Sequence, residues 1–362
     1  MAPKKDKVLM AMSGGIDSTM AAMLLLEQGY ELVGVTFRTY DSIKESCLAK
    51  DKGCCSIDSI MEAKHMCEKL GFEHHILDFR QTFQDHVIRN FIDEYMQGRT
   101  PNPCVLCNSS IKWGELLNMA DEFGCSHIAT GHYAQVIHEK GHWFLGNAVD
   151  TQKDQTYFLW MLTEENLART LFPLGGFTKQ EVRKMALERG FEKLSQKTES
   201  QEICFIPDND YRQFLSDNVD DFDKISKPGD FVNTRGEVVG RHHGFPNYTV
   251  GQRKGLGVAF GTPKYVLGID AAKNSVILGD RDELFTTTLR AKNCRFTSME
   301  LLARNNKVLA RIRYKSAPIE ATVEVNGSVA TLTFKESVWG VTPGQSVVLY
   351  QNNRVVGGGF IA

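Results

Sequence analysis

Val8-Leu9-Met10-Ala11-Met12-Ser13-Gly14-Gly15-Ile16-Asp17-Ser18 is the stretch on which the fold turns. Val8 to Met12 is an apolar run of the length of a buried strand. Residues 17–28 then place apolar side chains on a broad helical face, and Gly29 supplies a stop. Between strand and helix, two glycines let the backbone turn tightly and approach a ligand closely. Ser13 and Ser18 add hydroxyls, and the first amides of the following helix attract an anion. The string lacks the Gly-Lys-Ser/Thr ending of a Walker loop and the glycine spacing of a dinucleotide fingerprint. A bare pair of glycines would read as an ordinary turn; the full Ser-Gly-Gly-Ile-Asp-Ser string reads as a phosphate loop.

Outward from this loop the first half alternates strand and helix signals. Residues 31–37, 74–77 and 127–130 read as buried strands, and residues 56–70, 81–96 and 108–123 as helices. Ser56 reads as the N-cap of the first of these helices, and Gly71 and Gly124 follow two of their ends. Such alternation predicts a parallel sheet covered on both faces. Ligands in these sheets bind beyond the carboxyl ends of the strands, so the loops after Met12, Phe37 and Thr130 are the places for chemistry. Residues 163–190 are helical, with Phe177-Thr178 opening a second helix. After about Ile206 glycine and proline become frequent, and after about Val219 helix-length periodicity is lost. Residues 307–314, 317–325 and 329–335 alternate as antiparallel strands do. The expected organisation is an α/β domain over residues 1–206, a small central module over 207–288, and an all-β, barrel-like domain over 289–362.

The chain has 362 residues, which at roughly 100–200 per domain allows two or three domains. No apolar run is long enough to span a membrane, and the polar start lacks a signal peptide's apolar core. A cytoplasmic location is expected. Nine cysteines without an export signal argue against a disulfide scaffold. Cys67, Cys125 and Cys294, and the adjacent Cys54 and Cys55, are expected to be structural, as buried thiols usually are. The net charge of −2 conceals an asymmetry. From Leu289 onward there are ten Lys/Arg and four Asp/Glu, so the last segment is basic while the rest is acidic. That balance fits either a solvated β surface or a polyanionic partner.

A second motif is Gly98-Arg99-Thr100-Pro101-Asn102-Pro103-Cys104-Val105-Leu106-Cys107-Asn108. Its two prolines are expected to keep a regular helix out of the motif, leaving Cys107 close to the start of the next helix. That position favours a thiolate nucleophile. A Cys-x-x-Cys pair can also be half a zinc site or a redox pair, but no second pair completes conventional zinc spacing. Cys204, within Ser200-Gln201-Glu202-Ile203-Cys204-Phe205-Ile206, has nothing local to distinguish it.

Taken together, these motifs form a recognisable set. The loop Ser13–Ser18 resembles the pyrophosphate-binding loop of the N-type ATP pyrophosphatases, which adenylate a carbonyl or carboxyl oxygen. The loop, the Thr100–Asn108 motif, Thr130-Gly131-His132-Tyr133-Ala134, Lys153-Asp154-Gln155 and the Cys204 segment together resemble, in order, the tRNA-specific 2-thiouridylases. Residues 249–257 and Thr342-Pro343-Gly344-Gln345 extend the resemblance into both later segments. It implies ATP-dependent replacement of the C2 oxygen of a tRNA uridine, at the wobble position, by sulfur. By the same resemblance Cys107 is the nucleophile and Cys204 the persulfide carrier. Ala11, Met12, Ser13, Gly14, Gly15, Ile16, Asp17, Ser18, Phe37 and Gly131 form the ATP site, with Mg²⁺ near Asp17. Asn102, Pro103 and Cys104 face the target base. His132, Lys153, Asp154, Gln155, Arg313, Tyr314 and Gln345 contact tRNA. The implied partners are Lys, Glu and Gln tRNAs and a sulfur-delivery protein fed by a cysteine desulfurase.

One departure matters. Many members of the family have Asp where this chain has Cys104. Cys104, Cys107 and Cys204 then make a possible three-thiolate set for a [4Fe–4S] cluster, as in a related class of sulfur-transfer enzymes. Two other readings share the loop: an amide-forming ligase, which would need neither Cys107 nor Cys204, and a non-catalytic RNA-binding protein, which would bind ATP without turnover.

Overall fold

The computed structural model describes residues 6–40, 57–197, 203–206, 209–258 and 261–362. The Ser56 cap, the Cys54-Cys55 pair and Ser200-Gln201-Glu202 lie outside the described residues. Two compact units result: residues 1–87, 104–209 and 352–355, and residues 88–103, 210–351 and 356–362.

The first unit is built on strands β1 (Lys7–Ala11), β2 (Glu31–Arg38), β3 (His74–Asp78), β4 (His127–Ala129) and β7 (Thr170–Leu171). Their order is β3-β2-β1-β4-β7, and every pairing is parallel. The expected α/β class is therefore borne out. Val8, Leu9 and Met10 are fully buried because β1 is the middle strand. Helix α1 (Ile16–Glu27) buries residues on nearly every side and ends at Gly29, whose φ of +88° and amide bond to Leu26 O reverse the chain. Helix α2 (Ile57–Leu70) packs so closely on β2 that a Cβ at Gly34 would lie 2.8 Å from Cys67 Sγ. Cys67 and Cys125 are core residues, as expected.

Several details differ from the sequence expectation. A hairpin of β5 (Gln135–Glu139) and β6 (His142–Gly146) follows β4, turning at Lys140 and Gly141, both with positive φ. The usual hairpin signal puts Asn or Asp ahead of Gly; here Lys140 takes that place. Over 163–190 the second helix, Lys179–Glu188, opens at its Thr178 cap as expected, but edge strand β7 separates it from the first, Glu164–Ala168, which Thr163 caps. The helix expected to begin at Asn108 begins instead at Pro103. A proline at the first helical position gives up an amide that would have no partner there.

The second unit holds β8 (Gly229–Val232), β9 (Val238–His242), β10 (Tyr265–Asp270) and β11 (Ser275–Gly279) in the order β10-β11-β8-β9, around a core that includes Phe231, Phe245, Tyr248 and Val266. Then come β12 (Phe285–Phe296), β13 (Lys307–Arg311), β14 (Ile319–Asn326), β15 (Val329–Trp339), β16 (Ser346–Gln351) and β17 (Arg354–Ile361). They run β12-β15-β14-β13-β16-β17, and β17 pairs again with β12, closing a six-stranded barrel. Residues 88–103 belong to this unit: Phe91 meets Phe214 edge-on at 5.7 Å, and Tyr95 stacks on Tyr211 at 4.5 Å. No helix among the described residues is long and apolar enough to cross a membrane.

Candidate active site

The loop after β1 is held by its own serines. Ser13 N donates to Ser18 Oγ at 3.2 Å, and Ser18 Oγ and Thr19 Oγ1 donate to Gly15 O at 3.1 and 3.0 Å. Gly14 has φ +69°, and a Cβ there would lie 2.6 Å from Ser59 O. No side chain caps α1, so its first turn presents backbone donors to an incoming anion. Gly131, leaving β4, lies against this turn: a Cβ would sit 2.8 Å from Asp17 C and Ser18 N. The structure thus brings together two of the three loops that the sheet topology singled out. Phe37, at the end of β2, is half-buried and packs on Phe79 with ring centres 5.5 Å apart.

Asp17 does not stand open. Lys179 Nζ donates to both its oxygens, at 2.8 and 2.7 Å, and Tyr133 OH donates to Oδ1 at 2.9 Å. The Lys179 side chain is 8% exposed and that of Asp17 32%, so a nearly buried ammonium rests on a partly exposed carboxylate. Sequence reasoning missed both partners. Thr178 and Glu181 form a capping box, a legible signal that fixes Lys179 in the first turn of its helix. The sequence carries no sign that this turn faces Asp17.

The motif Lys153-Asp154-Gln155 shapes the next turn. Asp154 is 2% exposed; Oδ2 accepts from Ala148 N at 2.8 Å, and Oδ1 accepts from the amide and hydroxyl of Thr156. Its carboxylate is thus buried and engaged inside the protein. Gln155 Oε1 accepts from Tyr133 N at 2.8 Å and so fixes the turn that carries His132 and Tyr133. Lys153 is half-buried. His132 hydrogen-bonds Thr130 Oγ1 at 2.7 Å through Nδ1. Burial, with Lys112 nearby, holds its imidazole well below the ordinary histidine range. At neutral pH it offers a neutral ring rather than a cation.

Cys104 and Cys107 lie on one helical run. Residues Pro103–Leu106 are α-helical and Cys107–Lys112 form a π-helical segment, a local widening common at functional sites. Cys107 thus sits one turn inside the helix rather than at its start. Both thiols are half-buried. Burial, and secondarily Cys107, push the Cys104 thiol up to about 11. Cys204 occupies a turn closed by Ile206 N donating to Ile203 O at 2.9 Å. Phe205 and Ile206 are buried, with Phe205 edge-on to Phe83 at 5.6 Å, while Cys204 just before them is half-buried. Among the described residues no three His, Cys, Asp or Glu side chains gather as a metal-holding group. Both Asp17 oxygens are engaged by Lys179.

In the second unit Asn102 is half-buried and Pro103 buried. Arg313 Nη2 donates to Gly340 O and, at 2.9 Å, to Thr342 Oγ1, with the guanidinium 5.1 Å from the Trp339 ring centre. Tyr314 is half-buried. Gln345 Nε2 donates to Thr100 O at 2.9 Å and to Pro101 O at 3.0 Å.

Comparison with known proteins covers the whole chain. Residues 6–208 match the profile described as tRNA methyl transferase HUP domain, 214–280 a tRNA methyl transferase PRC-barrel domain, and 286–361 an aminomethyltransferase beta-barrel domain. A tRNA-specific 2-thiouridylase MnmA of Amoebophilus asiaticus is 49% identical over 359 residues, covering 99% of this chain and 96% of its own. One of Cytophaga hutchinsonii is 46% identical, covering 99% and 98%. A solved 4-thiouridine synthetase–RNA complex with bound ATP aligns over 60% of this chain and 51% of its own, at 22% identity and a TM-score of 0.36.

Proposed function

The chain belongs to the tRNA-specific 2-thiouridylase family, and from that premise we propose how its residues divide the reaction. The protein is an ATP-dependent tRNA-uridine 2-sulfurtransferase. The observation that carries the assignment of the ATP site is the uncapped N-terminus of α1 behind a Ser-Gly-Gly loop, with Gly131 packed against it. Backbone amides of that loop bind the phosphates of ATP. The C2 oxygen of the uridine attacks the α-phosphorus, and pyrophosphate leaves. The oxygen is now a leaving group, and Lys179 balances charge at Asp17 beside it.

Sulfur comes from a persulfide on Cys204. The Cys107 thiolate attacks the Cys204 sulfur, forming a Cys107–Cys204 disulfide and releasing hydrosulfide. Hydrosulfide adds to C2 and AMP departs with the former C2 oxygen. A thiol reductant and a sulfur-donor protein then reset the pair. Asn102, Pro103 and Cys104 face the base, at the wobble position of Lys, Glu and Gln tRNAs. No step is assigned to a [4Fe–4S] cluster or to a divalent ion.

The competing readings explain less. Two profile descriptions mention methyl transfer, which uses neither an ATP phosphate loop nor Cys107 and Cys204. An amide-forming ligase and a passive RNA-binding protein leave the same cysteines idle. The test is a Cys204→Ser protein given tRNA, ATP and a desulfurase-fed donor. It should release pyrophosphate with tRNA yet form no 2-thiouridine, and excess sodium sulfide should restore product. Thiolation from the donor at the wild-type rate would exclude the persulfide on Cys204.

A further inference from the structure

The backbone of residues 98–101 is secured at every step within the second unit. Gly98, with φ +71°, sits where a Cβ would lie 2.6 Å from Ile269 Cγ2. Arg99 N donates to Glu94 O at 2.9 Å, and its guanidinium forks onto the Glu94 carboxylate. Thr100 N donates to Pro343 O at 2.8 Å. Gly344, with φ +91°, lies so close to Thr100 that a Cβ would come within 2.9 Å of Thr100 O. The remaining acceptors, Thr100 O and Pro101 O, are both met by Gln345 Nε2.

Gln345 is itself rigidly placed. Its amide donates to Thr342 O at 3.2 Å, and its carbonyl accepts from Ile361 N in the barrel wall at 2.8 Å. Arg313 in turn fastens the preceding loop through Gly340 and Thr342. A primary amide has two N–H hydrogens. Here both are given to the strip, so Gln345 has only its oxygen left to offer an RNA.

We infer that Gln345 is a positioning residue: it holds the carbonyls of Thr100 and Pro101, and through them sets where Asn102, Pro103 and Cys104 stand. This rests on the reading of that strip as base-facing. A barrel residue would then act on the reaction by fixing the strip rather than by gripping tRNA. Misplacing a positioned group by about 1 Å can cost roughly a hundredfold in rate.

The experiment uses full-length Gln345→Met, which fills the space without a donor, and Gln345→Glu, which turns a carboxylate onto two carbonyl oxygens. Both are first matched to wild type by thermal melting. In tRNA-free protein, hydrogen exchange at the Thr100 amide should speed up in both, more in Gln345→Glu. At saturating tRNA, the single-turnover thiolation rate should fall roughly ten- to a hundredfold, while tRNA Kd measured by filter binding stays within about threefold, a change small beside the tenfold-per-1.4 kcal/mol scale of affinity. Thr100 exchange at the wild-type rate in both variants would overturn the inference, as would a weakened Kd with an unchanged saturated rate. Faster exchange with unchanged saturated thiolation would instead overturn the base-facing reading of the strip, and the inference with it.

Discussion

At the scale of single residues, Asp17 was legible and its environment was not. The loop string identifies the acid by spacing alone, but Lys179 is 162 positions away and is brought in by tertiary packing. The pairing changes what a substitution at Asp17 measures. Removing one partner of a fully buried pair costs about 3–5 kcal/mol because the other charge is stranded. The cost should be smaller here because Asp17 keeps a third of its side-chain surface in water. Asp17→Ala therefore confounds lost chemistry with a stranded Lys179. Asp17→Ala should lose pyrophosphate release and about 1–3 kcal/mol of stability, the range for an unsatisfied buried group. The double variant Asp17→Asn, Lys179→Met should regain most of that stability in a denaturant titration and still release no pyrophosphate. Recovery of catalysis by the double variant would show that the Asp17 carboxylate does no chemistry. Asp154 makes the complementary point: its motif was readable, but only burial reveals that its oxygens face inward.

At the scale of elements, the barrel strands that are half-exposed were legible by periodicity and those that are wholly buried were not. β13, β14 and β15 alternate buried and exposed positions and were legible, whereas β16 and β17 are almost continuously buried and carry no alternation. The helix at Pro103 was hidden by the opposite bias, since proline reads as a breaker unless its place in the first turn is recognised. That helix governs Cys104. Packing raises its thiol to about 11 from an ordinary value near 9, so the proton stays on through neutral pH and leaves only as pH rises through about 11. Cys104 is then a neutral thiol beside Cys107, the proposed nucleophile. Iodoacetamide alkylation of Cys104, followed by peptide mass spectrometry, should climb about tenfold per pH unit from pH 8 and level off near 11, as expected when only the thiolate reacts. Levelling at pH 9 or below would mean that the thiol is readily ionised and could serve as a second nucleophile or ligand.

At the scale of the whole molecule, the basic balance after Leu289 was visible from composition, but composition could not say which charges are available. Within the barrel, Lys335 is paired with Glu320 and Arg304 with Glu300, while Arg313 is turned onto Gly340 and Thr342. Arg290 and Lys315 lie exposed on the same unit. Deleting the barrel would be a poor test of RNA binding, because it would also remove Pro343 and Gln345 from the Thr100 strip. Charge reversal at the exposed positions separates the two roles. If the barrel neutralises tRNA phosphates, log Kd should vary linearly with log salt, and each lost contact should flatten that slope by about 0.7–0.9. Arg290→Glu and Lys315→Glu should each weaken tRNA binding, steepest at low salt, and the double variant should flatten the slope further than either alone. Pyrophosphate release at saturating tRNA should be unchanged, since neither side chain belongs to the ATP loop. Salt slopes identical to wild type in the double variant would place the tRNA backbone on other residues.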